Sequence, residues 1–183
     1  MNLLSDTLRP TVLSKFKANH NTFIETGTWL GGAVAVALQV GFEHILSIDV
    51  SVLHKETLTE RFKDFIASGR IKLIYGDSAT ILKEVVAGLQ EPSLFWLDAH
   101  YHGPGMAGPV PCPLYHELEA IGQSPIKGHT IMVDDLRLIR RHRAWANAVS
   151  LDGVLDRVKA IDAEYVLDYA DGHVASDILV AHR

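Results

Sequence analysis

The sequence predicts one α/β domain built on a seven-stranded, mostly parallel sheet with helices on both faces, and three observations predict it. Short β-branched or apolar runs alternate with segments of helical spacing, the pattern of a parallel sheet wrapped by helices. Glycines gather where the first such run meets the first helical segment, at Gly27, Gly31 and Gly32. Acids stand at or just past the ends of successive runs, at Glu25, Asp49, Asp77, Asp98, Asp134 and Asp135, and open α/β sheets bind ligands at those carboxyl ends.

The first six strands are expected at 22–25, 44–49, 71–75, 94–98, 130–133 and 164–169, and the seventh at 176–181. Between them Ile81, Leu82, Val85, Val86 and Leu89 share one helical face, as do Leu114, Leu118 and Ile121, and then Leu151, Val154, Leu155, Val158 and Ile161; these are core-facing stripes. The link between the last two strands contains Asp171-Gly172, which is hairpin chemistry, so the final strand is expected to run antiparallel to its neighbour. A plain dinucleotide-binding sheet joins its last strands by crossover helices instead.

A chain of 183 residues has room for one core and little for a second, so residues 1–183 are read as a single domain. Residues 1–20 are read as an N-terminal helical segment, and they are expected to be too short to supply a large substrate lid. The Gly- and Pro-rich stretch 100–113 is read as an active-site loop. A second subunit completing the pocket, as in a homodimer, is an expectation of the same kind.

The formal charge of −5 argues against a general nucleic-acid binder, whose phosphate affinity needs clustered Lys and Arg. Arg137, Arg140, Arg141 and Arg143, with His142, make the one basic cluster, open to reading as an anion site or as a solvated helix face paired with acids. Cys112 is the only cysteine, which leaves no intrachain disulfide; between two prolines and without a Cys-His-acid grouping it reads as a packed thiol. No signal-peptide order or membrane-length apolar stretch is seen. A cytoplasmic setting, with no membrane or nucleic-acid partner, is the expectation.

The first strand runs into Glu25-Thr26-Gly27-Thr28-Trp29-Leu30-Gly31-Gly32 and then a helix of small apolar residues. Glycine lets backbone turn sharply and approach a ligand, and the following helix aims its amides at it. The spacing is not the G-x-G-x-x-G of NAD-binding sheets. Asp49 follows roughly twenty residues after the glycines, where an acid accepts hydrogen bonds from ribose hydroxyls. Gly76-Asp77-Ser78 ends the third strand beside the same crevice; Ser78 reads equally as the cap of the next helix, with Asp77 an acid of its first turn. Trp29 reads either as a cover for the cofactor or as packing.

The order Glu25-x-Gly27-x-x-x-Gly31, Asp49, Gly76-Asp77-Ser78 resembles the class I S-adenosylmethionine-dependent methyltransferases over nearly the whole chain, terminal hairpin included. The resemblance implies S-adenosylmethionine as cofactor. Its methionine part would lie against the glycine loop, its ribose on Asp49 and its adenine facing Asp77. The expected cofactor-binding residues are Glu25, Gly27, Thr28, Gly31, Asp49, Asp77 and Ser78.

Strands four and five end in Asp98-Ala99-His100-Tyr101-His102 and Asp134-Asp135-Leu136-Arg137. Three carboxylates brought together call for a cation, so Asp98, Asp134 and Asp135 are the expected metal ligands. Oxygen donors suit Mg²⁺ first, then Ca²⁺ or Mn²⁺, while His100, His102 and His116 leave room for a softer metal. Asp134 or Asp135 reads alternatively as a helix cap or as a partner of Arg137 or Arg140. The pattern is similar to the cation-dependent O-methyltransferases and to the macrocin O-methyltransferase-like group. That resemblance implies methyl transfer to a hydroxylated small molecule, a sugar or specialised metabolite, with metal assistance. The catechol-type enzymes have a lysine beyond the strand-four Asp; here Ala99, His100 and Tyr101 stand there, which makes His100, with Asp98, the candidate catalytic pair. His100 reads equally as a structural partner of Asp98. A metal-dependent hydroxylase or hydrolase on the same fold, or a non-catalytic cofactor-binding module, are the alternatives.

Overall fold

The protein's structure, a computed structural model, describes residues 7–100, 111–141 and 149–183, giving only the backbone of Arg140 and Arg141. Seven strands form one sheet: β1 Thr22–Thr26, β2 His44–Asp49, β3 Ile71–Tyr75, β4 Leu94–Leu97, β5 Thr130–Val133, β6 Val166–Ala170 and β7 Ile178–His182. They lie in the order β3-β2-β1-β4-β5-β7-β6. The first five are mutually parallel, whereas β7 runs antiparallel to both β5 and β6.

The chain moves outward from β1 through β2 to β3, then crosses back to lay β4 on the other side of β1. That reversal opens a crevice over the carboxyl ends of β1 and β4, where ligands bind in such sheets.

The helices are α1 Pro10–Phe16, α2 Gly32–Val40, α3 Lys55–Arg61, α4 Lys63–Ala67, α5 Ser78–Ala87, α6 Leu114–Gly122, α7 Leu136–Arg141 and α8 Leu151–Ile161. Their division between the faces follows from the period-two alternation of the strands. Ile24, Phe95, Leu97, Ile131, Val133, Leu179 and Ala181 face one way and pack with Leu82 and Val86 of α5, Leu118 and Ile121 of α6, and Val154 and Val158 of α8. Phe23, Leu94, Trp96, Met132, Ile178 and Val180 face the other way, against Leu13 and Phe16 of α1, Val34 and Ala37 of α2, and Leu58 of α3.

Two strands sit later than expected. Glu164 and Tyr165 belong to the turn after α8, because the Asp162 carboxylate accepts the Glu164 N–H at 3.0 Å and the Asp162 carbonyl accepts the Tyr165 N–H at 3.3 Å. Ser176 has φ +54°, which closes the link before β7. Strand β4 stops at Leu97, although the Asp98 N–H still donates to the Thr26 carbonyl at 3.1 Å. Among the described residues no helix is long and apolar enough to cross a membrane.

Candidate functional site

The turn after β1 is a tight one. Gly27 has φ +88° and donates its N–H to the Ile48 carbonyl at 2.8 Å. A Cβ on Gly27 would stand 2.7 Å from the Asp98 carbonyl oxygen, so the loop lies directly against the backbone leaving β4. Trp29 is held at φ +46°, a conformation uncommon for a bulky residue. Asp49 secures it: Oδ2 accepts the Trp29 N–H at 2.9 Å and Oδ1 accepts the Ser51 N–H at 2.8 Å. Gly31, at φ +75°, is the N-cap of α2.

The loop's other polar groups turn inward. Glu25 is fully buried, accepting the Ser47 hydroxyl, which lies 2.5 Å from the Thr28 hydroxyl. Glu25 and Thr28 therefore brace the loop on β2 from beneath, while Asp49 is half-buried at the crevice rim. At the end of β3 the cap is Asp77, whose carboxylate accepts the Ala79 N–H at 3.1 Å; Ser78 is the first residue of α5.

On the other side of the crevice, Asp98, His100, Asp134 and Asp135 line one cavity together with Glu117 and Cys112. His100 Nε2 lies 3.1 Å from Asp135 Oδ2 and 3.8 Å from Asp98 Oδ1. These three residues can offer ligand atoms all within 4.8 Å of one another. Burial would raise the Asp135 carboxyl, but the hydrogen bond and charge of His100, with Arg137 beside them, outweigh it and hold the pKa below the ordinary value. Asp135 itself sits at φ +60°.

Asp134 belongs to a different group. Its Oδ2 accepts the Thr7 hydroxyl, its Oδ1 has no hydrogen-bond partner, and its close acidic neighbours are Asp135 and Asp177. Burial first, and then the charge of Asp135, pushes its pKa up to about 7. The expected trio of Asp98, Asp134 and Asp135 is thus divided, with Asp135 common to both halves. The backbone turns at once after β5, with Asp135 at φ +60°, so the two neighbouring carboxylates take different partners.

Arg137 is committed to this cluster. Its guanidinium donates to Asp135 and Asp177, and its backbone N–H donates to Asp177 Oδ1 at 2.8 Å. The rest of the expected basic cluster, from the side chain of Arg140 to Arg143, lies outside the described residues, as do His102 and most of the 100–113 loop. His116 is half exposed and faces Glu119. Cys112 is buried in the core, and burial pushes its thiol up to about 12, which removes it as a nucleophile at neutral pH.

Sequence reasoning missed Glu117. It is completely buried on α6, and neither carboxyl oxygen has a hydrogen-bond partner. Burial drives its pKa up to about 7 against the weaker opposing influence of the Ser78 and Thr26 hydroxyls. The signal was present: Glu117 falls inside the apolar stripe of Leu114, Leu118 and Ile121, where a charged residue has no packing reason to be.

No family model matches the sequence, and no curated protein matches it. Solved structures do. An O-methyltransferase from Bacillus cereus, in complex with S-adenosylhomocysteine, aligns with 100% of this chain and 85% of its own, at TM-score 0.66 and 14% identity. A candidate rRNA methylase from Clostridium thermocellum covers 94% of this chain and 92% of its own, at TM-score 0.65 and 15% identity. A Podospora anserina methyltransferase bound to S-adenosylhomocysteine covers 94% and 75%, at TM-score 0.58 and 14% identity. With its seven-stranded sheet and the antiparallel ending that the sequence led one to expect, the chain has the fold of the class I S-adenosylmethionine-dependent methyltransferases.

Proposed function

We propose that this protein is an S-adenosylmethionine-dependent O-methyltransferase that acts on a hydroxylated small molecule with divalent-metal assistance. The observation that carries the reading is the side-by-side arrangement, at the carboxyl ends of the central strands, of a glycine turn clamped by Asp49 and a cavity holding Asp98, His100 and Asp135. The first half suits a nucleoside cofactor: the half-buried Asp49 keeps acceptor capacity beyond its two backbone bonds for ribose hydroxyls, and Gly27 permits close approach of the methionine part. Asp77 and Ser78 then lie toward the adenine.

The second half supplies what methyl transfer to oxygen requires. Two carboxylates and an imidazole with ligand atoms inside 4.8 Å fit a divalent cation, with Mn²⁺ as well suited as Mg²⁺ to a mixed oxygen and nitrogen set. Asp98 and Asp135 would hold it, and its charge would lower the pKa of an acceptor hydroxyl. In this reading His100, oriented by its Nε2 contact with Asp135, takes the hydroxyl proton on Nδ1 so that the oxygen attacks the sulfonium methyl. Asp135 confines the imidazole to one tautomer and one orientation, a positioning task. Arg137, ion-paired to Asp135 and Asp177, is already engaged, which supports a small-molecule acceptor over a nucleic acid.

One observation favours a second reading. The Asp-His-Asp donor set also suits a redox-active metal, as in a metal-dependent hydroxylase. Calorimetric titration of the purified protein with S-adenosylmethionine and S-adenosylhomocysteine, with and without Mg²⁺ or Mn²⁺, separates the two. Micromolar binding supports the methyltransferase, and no binding under any condition removes it.

A further inference from the structure

Two neighbouring buried groups lack hydrogen-bond partners: both carboxyl oxygens of Glu117 and the hydroxyl of Thr26, the last residue of β1. An unpaired buried carboxyl is costly to a fold, and such a group calls for an explanation. The groups that bear on Glu117 are Ser78, Thr26 and Asp77, at the carboxyl ends of β1 and β3, and it also lines the cavity that continues to Asp98 and His100. Glu117 is absent from the metal-capable groupings found among the described residues. A buried carboxyl beside a buried hydroxyl, both without a hydrogen-bond partner, matches a ligand that brings a hydrogen-bond donor.

The proposed cofactor arrangement shows which donor this is. The Gly76 N–H donates to the Asp49 carbonyl at 2.8 Å, so the ends of β2 and β3 are directly joined. A nucleoside whose sugar rests on Asp49 carries its base across that joint toward Asp77, Ser78 and the ground beneath them. We propose that Glu117, seconded by Thr26, is a further cofactor-binding residue that accepts a hydrogen bond from the exocyclic amino group of the adenine. The inference rests on the cofactor reading above and extends it from cofactor class to base recognition. A site that meets a base amine with an acceptor rejects the analogue that lacks it, because the acceptor is then left buried and unpaired.

The test compares S-adenosylhomocysteine with S-inosylhomocysteine, in which a carbonyl replaces the amine, by calorimetry on wild type, Glu117→Met and Glu117→Gln. Wild type is expected to prefer the adenosyl ligand by roughly tenfold or more, the scale of one hydrogen bond to a buried charged acceptor. Glu117→Met, close in volume and apolar, should bring that preference to within about threefold while leaving the melting temperature unchanged or higher, since it removes an unsatisfied group. Glu117→Gln, which places a donor beside the acceptor, should lower the preference at least about threefold and serves if the Met variant does not fold. A preference that persists in either folded variant, or an equal loss of both ligands, overturns the inference and leaves Glu117 structural. Failure of wild type to bind either ligand is a distinct result that overturns the cofactor reading itself.

Discussion

The imidazole of His100 ties the end of β4 to the end of β5, with Nε2 3.1 Å from Asp135 Oδ2 and 3.8 Å from Asp98 Oδ1. The roles of base and metal ligand compete for this one ring, and the proposed mechanism assigns it the first. His100→Ala should lower kcat by on the order of 10²–10⁴ while metal affinity stays within about threefold and S-adenosylhomocysteine affinity is unchanged. A collapse of Mn²⁺ binding in the variant would make His100 a ligand instead.

The two halves of the crevice should respond separately to substitution. Asp98→Asn is expected to weaken Mn²⁺ binding about tenfold or more, the size of lost affinity typical of disturbed metal sites, with cofactor affinity kept. Asp49→Ala should do the reverse, weakening S-adenosylhomocysteine about tenfold by removing a charged acceptor and releasing the Trp29 backbone. Calorimetry of each variant with each ligand reads the pattern, and equal loss of both ligands from either variant would show one merged site.

Gly27 has no room for a side chain. Any Cβ there would stand 2.7 Å from a backbone oxygen, at φ +88°. Gly27→Ala should destabilise the fold by about 1–3 kcal/mol and abolish cofactor binding, as seen by thermal denaturation and titration. Full stability with intact binding would mean that the turn has room that the structure denies it.

At the amino end of β5, His129 makes a pH-sensitive joint. Its Nδ1 accepts the Ser93 N–H at 3.0 Å, so the proton of the neutral ring sits on Nε2 and is donated to the Ser124 hydroxyl at 2.8 Å. Protonating Nδ1 would set two donors against each other. Burial, then the charge of His20, lowers the His129 pKa to about 4 from 6.5, so this contribution to stability is complete above pH 6.5 and is lost as pH falls toward 4. The loss should be on the order of 1–2 kcal/mol by pH 5, allowing for solvent screening. Glu117 and Asp134, with raised pKa values, act in the opposite sense as pH rises from their ordinary values toward about 7. Urea midpoints of wild type against His129→Gln isolate the histidine: the variant should show the shallower acid decline, and parallel curves would refute its role.

Much of the fold was readable because a buried strand records its own geometry. Phe23 and Ile24, or Leu94 and Phe95, are adjacent apolar residues serving opposite faces, which only a sheet covered on both sides requires. The glycine turn and the strand-end acids were readable for a similar reason, since backbone that must turn and carboxylates that must gather leave few choices of residue. The bond from Thr7 to Asp134 was not legible, because the two lie 127 residues apart in sequence. Periodicity carries no record of such a contact. Glu117 was legible only as an anomaly in an apolar stripe, and its meaning depends on Thr26 and Ser78, which three separate elements bring together.

The seating of β7 has a consequence for how the molecule is made. It fills the slot between β5 and β6, pairing Met132 with Val180 and Tyr169 with Leu179. Until that strand emerges during synthesis, β5 presents an open and mostly apolar edge, and such edges recruit strands from other chains. A nascent chain stalled anywhere before Ile178 is therefore an aggregation hazard carrying an almost finished cofactor crevice. The completion of the sheet, and with it the escape from that hazard, waits on the five residues Ile178–His182.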